Sequence, residues 1–144
     1  MRIACWQATT PAPSDMPGAQ LDRLAAATAR AATAGAALLV TPELFATGYP
    51  LHRRLLAEVN ADYAEGVHRI AATTGVSIVH GLPEVNGTAL HNIAAVVMPE
   101  NGAVATYCKV HLYGEHEQTM FTPGDKLVVQ AEVGGVMVGP GDLL

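Results

Sequence analysis

The sequence predicts an α/β fold: a mixed sheet with helices on one face. Three observations carry this reading. Short apolar runs alternate with Ala-rich helical periods through the first half of the chain, in the order β-α-β-α-β. The dipeptide Asn86-Gly87 then changes the pattern to antiparallel hairpins. Between them, Ala36-Ala37-Leu38-Leu39-Val40 is apolar throughout, as expected of a strand covered on both faces.

Taken in order, Arg2 to Gln7 reads as a strand with Ile3, Cys5 and Gln7 on one face and Ala4 and Trp6 on the other, which predicts Cys5 in the core. A Pro/Ser/Asp loop from Pro11 to Pro17 leads into a helix from about Gly18 to Ala34, stopped by Gly35. Leu21, Leu24, Ala25 and Ala32 recur at helical spacing, with Thr28 the polar member of the stripe. After the second strand, Thr41 to Pro50 is a loop held by two prolines and a glycine. A second helical region spans about Leu51 to Thr74, with a break near Asn60, and Gly75 ends it. Val76 to Gly81 is the third strand, with Gly81-Leu82-Pro83-Glu84 as its terminal turn. Leu90 to Met98 returns, and Pro99-Glu100-Asn101-Gly102 turns into a strand ending at Cys108. Beyond Pro123-Gly124-Asp125, Lys126 to Gln130 reads as one more strand, and Val133 to Val138 as the start of another.

At 144 residues, with no repeat, linker or low-complexity tract, the chain is expected to form one domain. Half of it is hydrophobic but only 5% aromatic, so Ala, Val and Leu must fill the core. A net charge of −5 without a basic stripe argues against nucleic acid as a partner. No apolar run reaches the roughly 18–20 residues of a membrane span, and the N-terminus lacks a signal peptide's apolar core. Cys5 and Cys108 have neither metal-ligand nor redox-pair spacing, so a reduced, cytoplasmic protein is expected.

The chemistry concentrates in Lys109-Val110-His111-Leu112-Tyr113-Gly114-Glu115-His116-Glu117, in a chain only 15% charged. Lys109 follows one predicted strand and Glu43 follows another. If those strands are neighbours, their ends meet in one crevice, where a carboxylate and an ammonium can serve as general base and electrostatic stabiliser. A loop carboxylate paired with a structural lysine is the alternative. His111 and His116 lack the helical spacing of a zinc motif, so a solvated or capping role is expected for His116 and Glu115. His80 and His91 read as strand-end histidines. Alternation along the strand turns Cys108 away from any crevice that Lys109 faces, which makes it a packing cysteine. No glycine-rich phosphate loop precedes a helix, and no cofactor or metal is expected.

Together these motifs resemble the carbon–nitrogen hydrolase family, or nitrilase superfamily. Thr41-Pro42-Glu43-Leu44-Phe45-Ala46-Thr47-Gly48-Tyr49 is similar to the family's segment around its general-base glutamate. Gly81-Leu82-Pro83-Glu84, Asn92 and Pro99-Glu100-Asn101-Gly102 match its middle strands, and Tyr107-Cys108-Lys109-Val110-His111-Leu112 resembles the segment with its catalytic lysine. Phe121-Thr122-Pro123-Gly124-Asp125 matches its Phe-x-Pro-Gly turn. The resemblance implies a Glu-Lys-Cys triad that cleaves nonpeptide C–N bonds of an amide, carbamoyl compound or nitrile. Glu43 would then be the base, Lys109 the oxyanion stabiliser and Glu117 a second glutamate positioning substrate and lysine. The pattern His111-Leu112-x-Gly-x-x-Glu leans towards amide and carbamoyl substrates. A homo-oligomer is implied for the intact family.

The departure lies at the nucleophile. Gly135-Val136-Met137-Val138 matches the strand that should end in cysteine, so the thiol is expected at or just after Gly139, where Gly139-Pro140-Gly141 stands instead. Either the nucleophile is replaced or the reading frame has shifted. Asp-Leu-Leu can be encoded GAC-CTG-CTA, and with a following C a one-base shift reads Thr-Cys-Tyr. Residues 1–144 are therefore expected to be the N-terminal part of a carbon–nitrogen hydrolase domain, a partial α-β-β-α sandwich with its sheet's inner face and an edge exposed. Alone it would be inactive, or a non-catalytic fragment or pseudoenzyme that binds a carboxamide or pairs with a full-length relative.

Overall fold

The computed structural model describes residues 1–9, 17–48 and 61–141. The loop expected from Pro11 and the helical region expected over 51–60 lie outside these. The elements run β1 (Ile3–Cys5), α1 (Pro17–Thr33), β2 (Leu38–Val40), α2 (Ala61–Thr74), β3 (Ser77–Asn86), β4 (Ala89–Met98), β5 (Gly102–Cys108), α3 (Gly114–Met120), β6 (Ala131–Val133) and β7 (Val136–Val138). Strands β1 to β5 form one sheet in sequence order, and β6 and β7 pair separately. The first three strands are parallel; β4 and β5 join antiparallel. This is the mixed sheet that the sequence predicts.

Alternation along the central strands separates two cores. Leu39, Ile78, Ala95 and Val97 point to α1 and α2, where Leu24, Val67 and Ala71 pack on them. Leu38, Val79 and Val96 point to the opposite face, covered by Ala131 and Val133 of the β6–β7 hairpin. β2 is thus covered on both sides, as its continuous apolar run requires, and the inner face expected to lie bare is covered by the hairpin over these residues. Thr28 lies fully buried on α1 and donates to the Leu24 carbonyl at 2.7 Å, which satisfies its hydroxyl inside the helix.

Four expectations are corrected. Cys5 is exposed, not in the core, because β1 is an edge strand and the β6–β7 hairpin packs over β2 to β5 but not over β1. Gly81 to Glu84 is not a terminal turn: pairing with β4 carries β3 on to Asn86. Pro83 is tolerated there because β2 stops pairing at Val40–Val79, so no β2 partner needs its missing N–H. Lys126 to Gln130 forms no strand, only a bridge between Val128 and Gly141. Val133 to Val138 is not one strand but the turn of a hairpin, since Gly134 and Gly135 both take positive φ, 55° and 77°, as a two-residue turn matching strand twist demands.

Among the described residues, no helix is long and apolar enough to cross a membrane.

Candidate active site

Glu43 and Lys109 do meet, although not for the reason expected, because β3 and β4 lie between β2 and β5. The connection after β2 crosses over β3 instead. Thr41 still donates to the Val79 carbonyl at 2.9 Å, and the chain then passes directly over Gly81. A Cβ at Gly81 would sit 2.5 Å from the Leu44 nitrogen, 2.8 Å from the Pro42 oxygen and 2.9 Å from the Glu43 Cα. Only glycine admits a backbone this close. Leu44, with φ of 48°, turns the chain at this crossing, and Leu44, Phe45 and Ala46 are buried behind it. The Phe45 ring packs 5.1 Å from that of Trp6, and the Ala46 nitrogen donates to the Gly81 carbonyl at 3.1 Å. Glu43 is thereby carried from β2 to β4.

Lys109 is fixed from two sides. Its nitrogen donates to the Asn92 carbonyl at 2.8 Å, and its carbonyl accepts from Gly124 at 2.9 Å. Gly124 belongs to the Phe-x-Pro-Gly turn, whose Thr122 nitrogen also bonds the Leu90 carbonyl at 2.7 Å, so the turn ties β4 to the end of β5. Glu117, buried on α3, accepts the Tyr113 N–H at 2.7 Å at the start of that helix.

The side chains converge on the ammonium. Lys109 Nζ lies 2.7 Å from Glu43 Oε1, and 3.2 and 2.9 Å from Glu117 Oε1 and Oε2. Asn92 Nδ2 donates to the same Glu43 Oε1 at 2.7 Å. Burial disfavours the Lys109 charge, but hydrogen bonds and charge from Glu43 and Glu117 outweigh it, and its pKa lies above the ordinary lysine value. A cavity of about 830 Å³ opens over this cluster, lined by Glu43, Asn92, Lys109 and Glu117, with Tyr107 and Ile93 on its wall. His111 and His116 are exposed and line the same cavity, and Glu115 is exposed outside it. Among the described residues no group of three His, Cys, Asp or Glu side chains could hold a metal ion.

The other candidates stand apart. Cys108 packs against the core under the helices, and burial together with Glu84 and Asp125 pushes its thiol pKa up, with Lys126 opposing. His80 is no strand-end residue: it is buried mid-β3, tilted against Tyr63 with ring centroids 6.1 Å apart, and burial lowers its pKa to about 4. His91 Nδ1 bonds the Thr122 carbonyl at 2.8 Å. Pro140 and Gly141, just past β7, line the cavity. Reasoning from residues alone passed over Gly81, read as a turn, and the side chain of Asn92. The signal for Asn92 was there: a lone amide in an apolar strand needs a partner.

The sheet and its flanking helices place the chain among nitrilase-superfamily α/β proteins. It matches the solved structure of a cysteine-to-alanine variant of an amidase of that superfamily from Nesterenkonia AN1, with TM-score 0.82 and 35% identity over 96% of this chain and 54% of that one. The chain belongs to the carbon–nitrogen hydrolase family, matched over residues 2–141. A nitrilase of Pyrococcus abyssi is 39% identical over 73% of this chain and 42% of its own length. A hydrolase in the pqqF 5' region of Pseudomonas protegens is 32% identical over 96% of this chain and 49% of its own. The chain spans about half the length of these relatives.

Proposed function

We propose that the cavity takes a carboxamide or N-carbamoyl group for cleavage of its C–N bond by a Glu-Lys-Cys triad, of which this chain carries the Glu and the Lys. The observation that carries the reading is the Lys109 ammonium, held 2.7 Å from Glu43 and 2.9 Å from Glu117 in one cavity. A thiol entering there would attack the carbonyl carbon while Glu43 takes its proton. The oxyanion of the tetrahedral adduct would lie against Lys109, and collapse would expel ammonia or an amine with the proton that Glu43 returns. Glu43 would next take a proton from water as it attacks the thioester; the C–S bond breaks, the acid leaves and the thiol is restored. Glu117 keeps Lys109 charged and in place throughout.

The related amidase supports a small amide as ligand: a cysteine-to-alanine variant of it was solved in complex with butyramide. Cys108 does not suit the nucleophile's part, because it packs on the helical face with a raised pKa. Pro140 and Gly141 line the cavity where the resemblance puts the thiol, which favours a second reading: the 144-residue chain binds a carboxamide without turnover, or pairs with a full-length relative. Ammonia release from simple amides and N-carbamoyl amino acids, measured beside butyramide titration, separates the two. Binding without ammonia is expected. Turnover lost in Glu43→Gln would make the chain a complete hydrolase, and failure to bind any amide would sink the carboxamide reading and leave only pairing with a full-length relative. A cytoplasmic location and homo-oligomerisation belong to the same proposal, the latter to be read by light scattering.

A further inference from the structure

We propose that Asn92 is a positioning residue that decides which oxygen of Glu43 meets the cavity. Asn92 is 3% exposed on β4, and the apolar residues Ile93 to Val97 follow it. It holds both partners of the central ion pair: its side-chain Nδ2 donates to Glu43 Oε1 at 2.7 Å, and its carbonyl accepts the Lys109 N–H at 2.8 Å. The amide's orientation follows from chemistry, since turning its oxygen to the carboxylate would set two acceptors against each other.

Glu43 Oε1 therefore carries two donors, Asn92 Nδ2 and Lys109 Nζ, each at 2.7 Å. Glu43 Oε2 has no partner among the described residues, and the side chain is 44% exposed where it lines the cavity. A carboxylate pinned through one oxygen presents the other in a fixed direction, whereas one held by the flexible lysine alone could rotate about its terminal torsion. An amide is suited to this task because it donates without charge and leaves the balance between Lys109 and the two glutamates unaltered. Oε2 is then the atom that takes a proton from a nucleophile or accepts a substrate N–H.

This inference rests on the reading of Glu43 as the base, and its test observes Glu43 directly. In the full chain labelled with carboxyl-¹³C glutamate, the Glu43 signal is identified by its loss in Glu43→Gln. Asn92→Leu should shift that signal and weaken butyramide binding about tenfold, the loss of one hydrogen bond to a charged group. Asn92→Asp, of nearly the same shape, replaces the donor with an acceptor, should shift the signal as well, and stands in if the leucine variant fails to fold. An unmoved Glu43 signal in the folded variants overturns the proposal. So does a moved signal with butyramide bound as tightly as by the parent. If the parent itself binds no butyramide while the signal still moves, the carboxamide reading falls and the positioning of Glu43 by Asn92 stands.

Discussion

Lys109 Nζ sits 2.7 Å from Glu43 Oε1 across 66 positions of sequence and two intervening strands. The contact depends on a backbone crossing, and the crossing depends on an absent side chain at Gly81.

Gly81→Ala should therefore act at a distance. The new Cβ meets three backbone atoms of residues 42–44, which cannot yield as a side chain would. A cost of about 2 kcal/mol is expected in urea denaturation, in the range of overpacked cores. The Glu43 carboxyl signal should move as well; an unchanged midpoint and signal would contradict the crossing as described.

Glu117 is the buried half of the Lys109 cluster, at 7% side-chain exposure against 44% for Glu43. Glu117→Ala removes the buried one of the two carboxylates on Lys109 and the acceptor of the Tyr113 N–H together, with an expected loss of roughly 2 kcal/mol. Glu117→Gln retains an acceptor for Tyr113 and should cost visibly less. A double-mutant cycle with Lys109→Met gives the coupling, and additive losses would mean that the two side chains are not partners.

His80 makes acid stability a readout of the core. Burial lowers its pKa from 6.5 to about 4, so between those values the unfolded chain binds a proton that the folded one refuses. The sign follows: stability is intact above about 6.5 and declines as pH falls towards about 4, by roughly 3 kcal/mol. His80→Leu should flatten this decline in denaturant melts at several pH values. An equal slope in both proteins would show that other groups cause it.

The two cysteines should differ in reactivity. Cys5 is exposed, while Cys108 is half-buried with its thiol pKa raised by burial and by nearby Glu84 and Asp125. Iodoacetamide at neutral pH should modify Cys5 first, as followed by mass spectrometry of peptides. Cys108→Ser should leave butyramide binding unchanged; a loss of binding would mean that Cys108 reaches the cavity.

Local patterns were legible wherever chemistry acts over a few residues. The helix over 17–33, stopped before Gly35, follows from Ala-rich periodicity and a left-handed glycine, and the β3–β4 hairpin from the turn signal at Asn86-Gly87, although Asn86 ends the strand and the turn itself is Gly87-Thr88. Glu43 and Lys109 stand out because each follows a strand in a chain where charge is scarce, whereas Glu117 was marked by the family resemblance. Pairings between distant segments were less legible. Cys5 read as core because alternation assigns a face but not a strand's place in the sheet, and an edge strand lacks cover. Gly134-Gly135 read as part of a strand because two glycines fit a flexible strand or a tight turn until a partner strand is known.

The amino-acid order by itself determined the α/β class, the order of strands and helices through Cys108, and the places of the charged side chains along them. These depend on period, turn chemistry and side-chain type, all local properties. Tertiary structure decided how they meet. It placed two strands between Glu43 and Lys109, then removed that separation by passing the 42–44 loop over Gly81 to Asn92. A glycine's value in a crossing lies in what packs on it, and that is written in no single stretch of the chain.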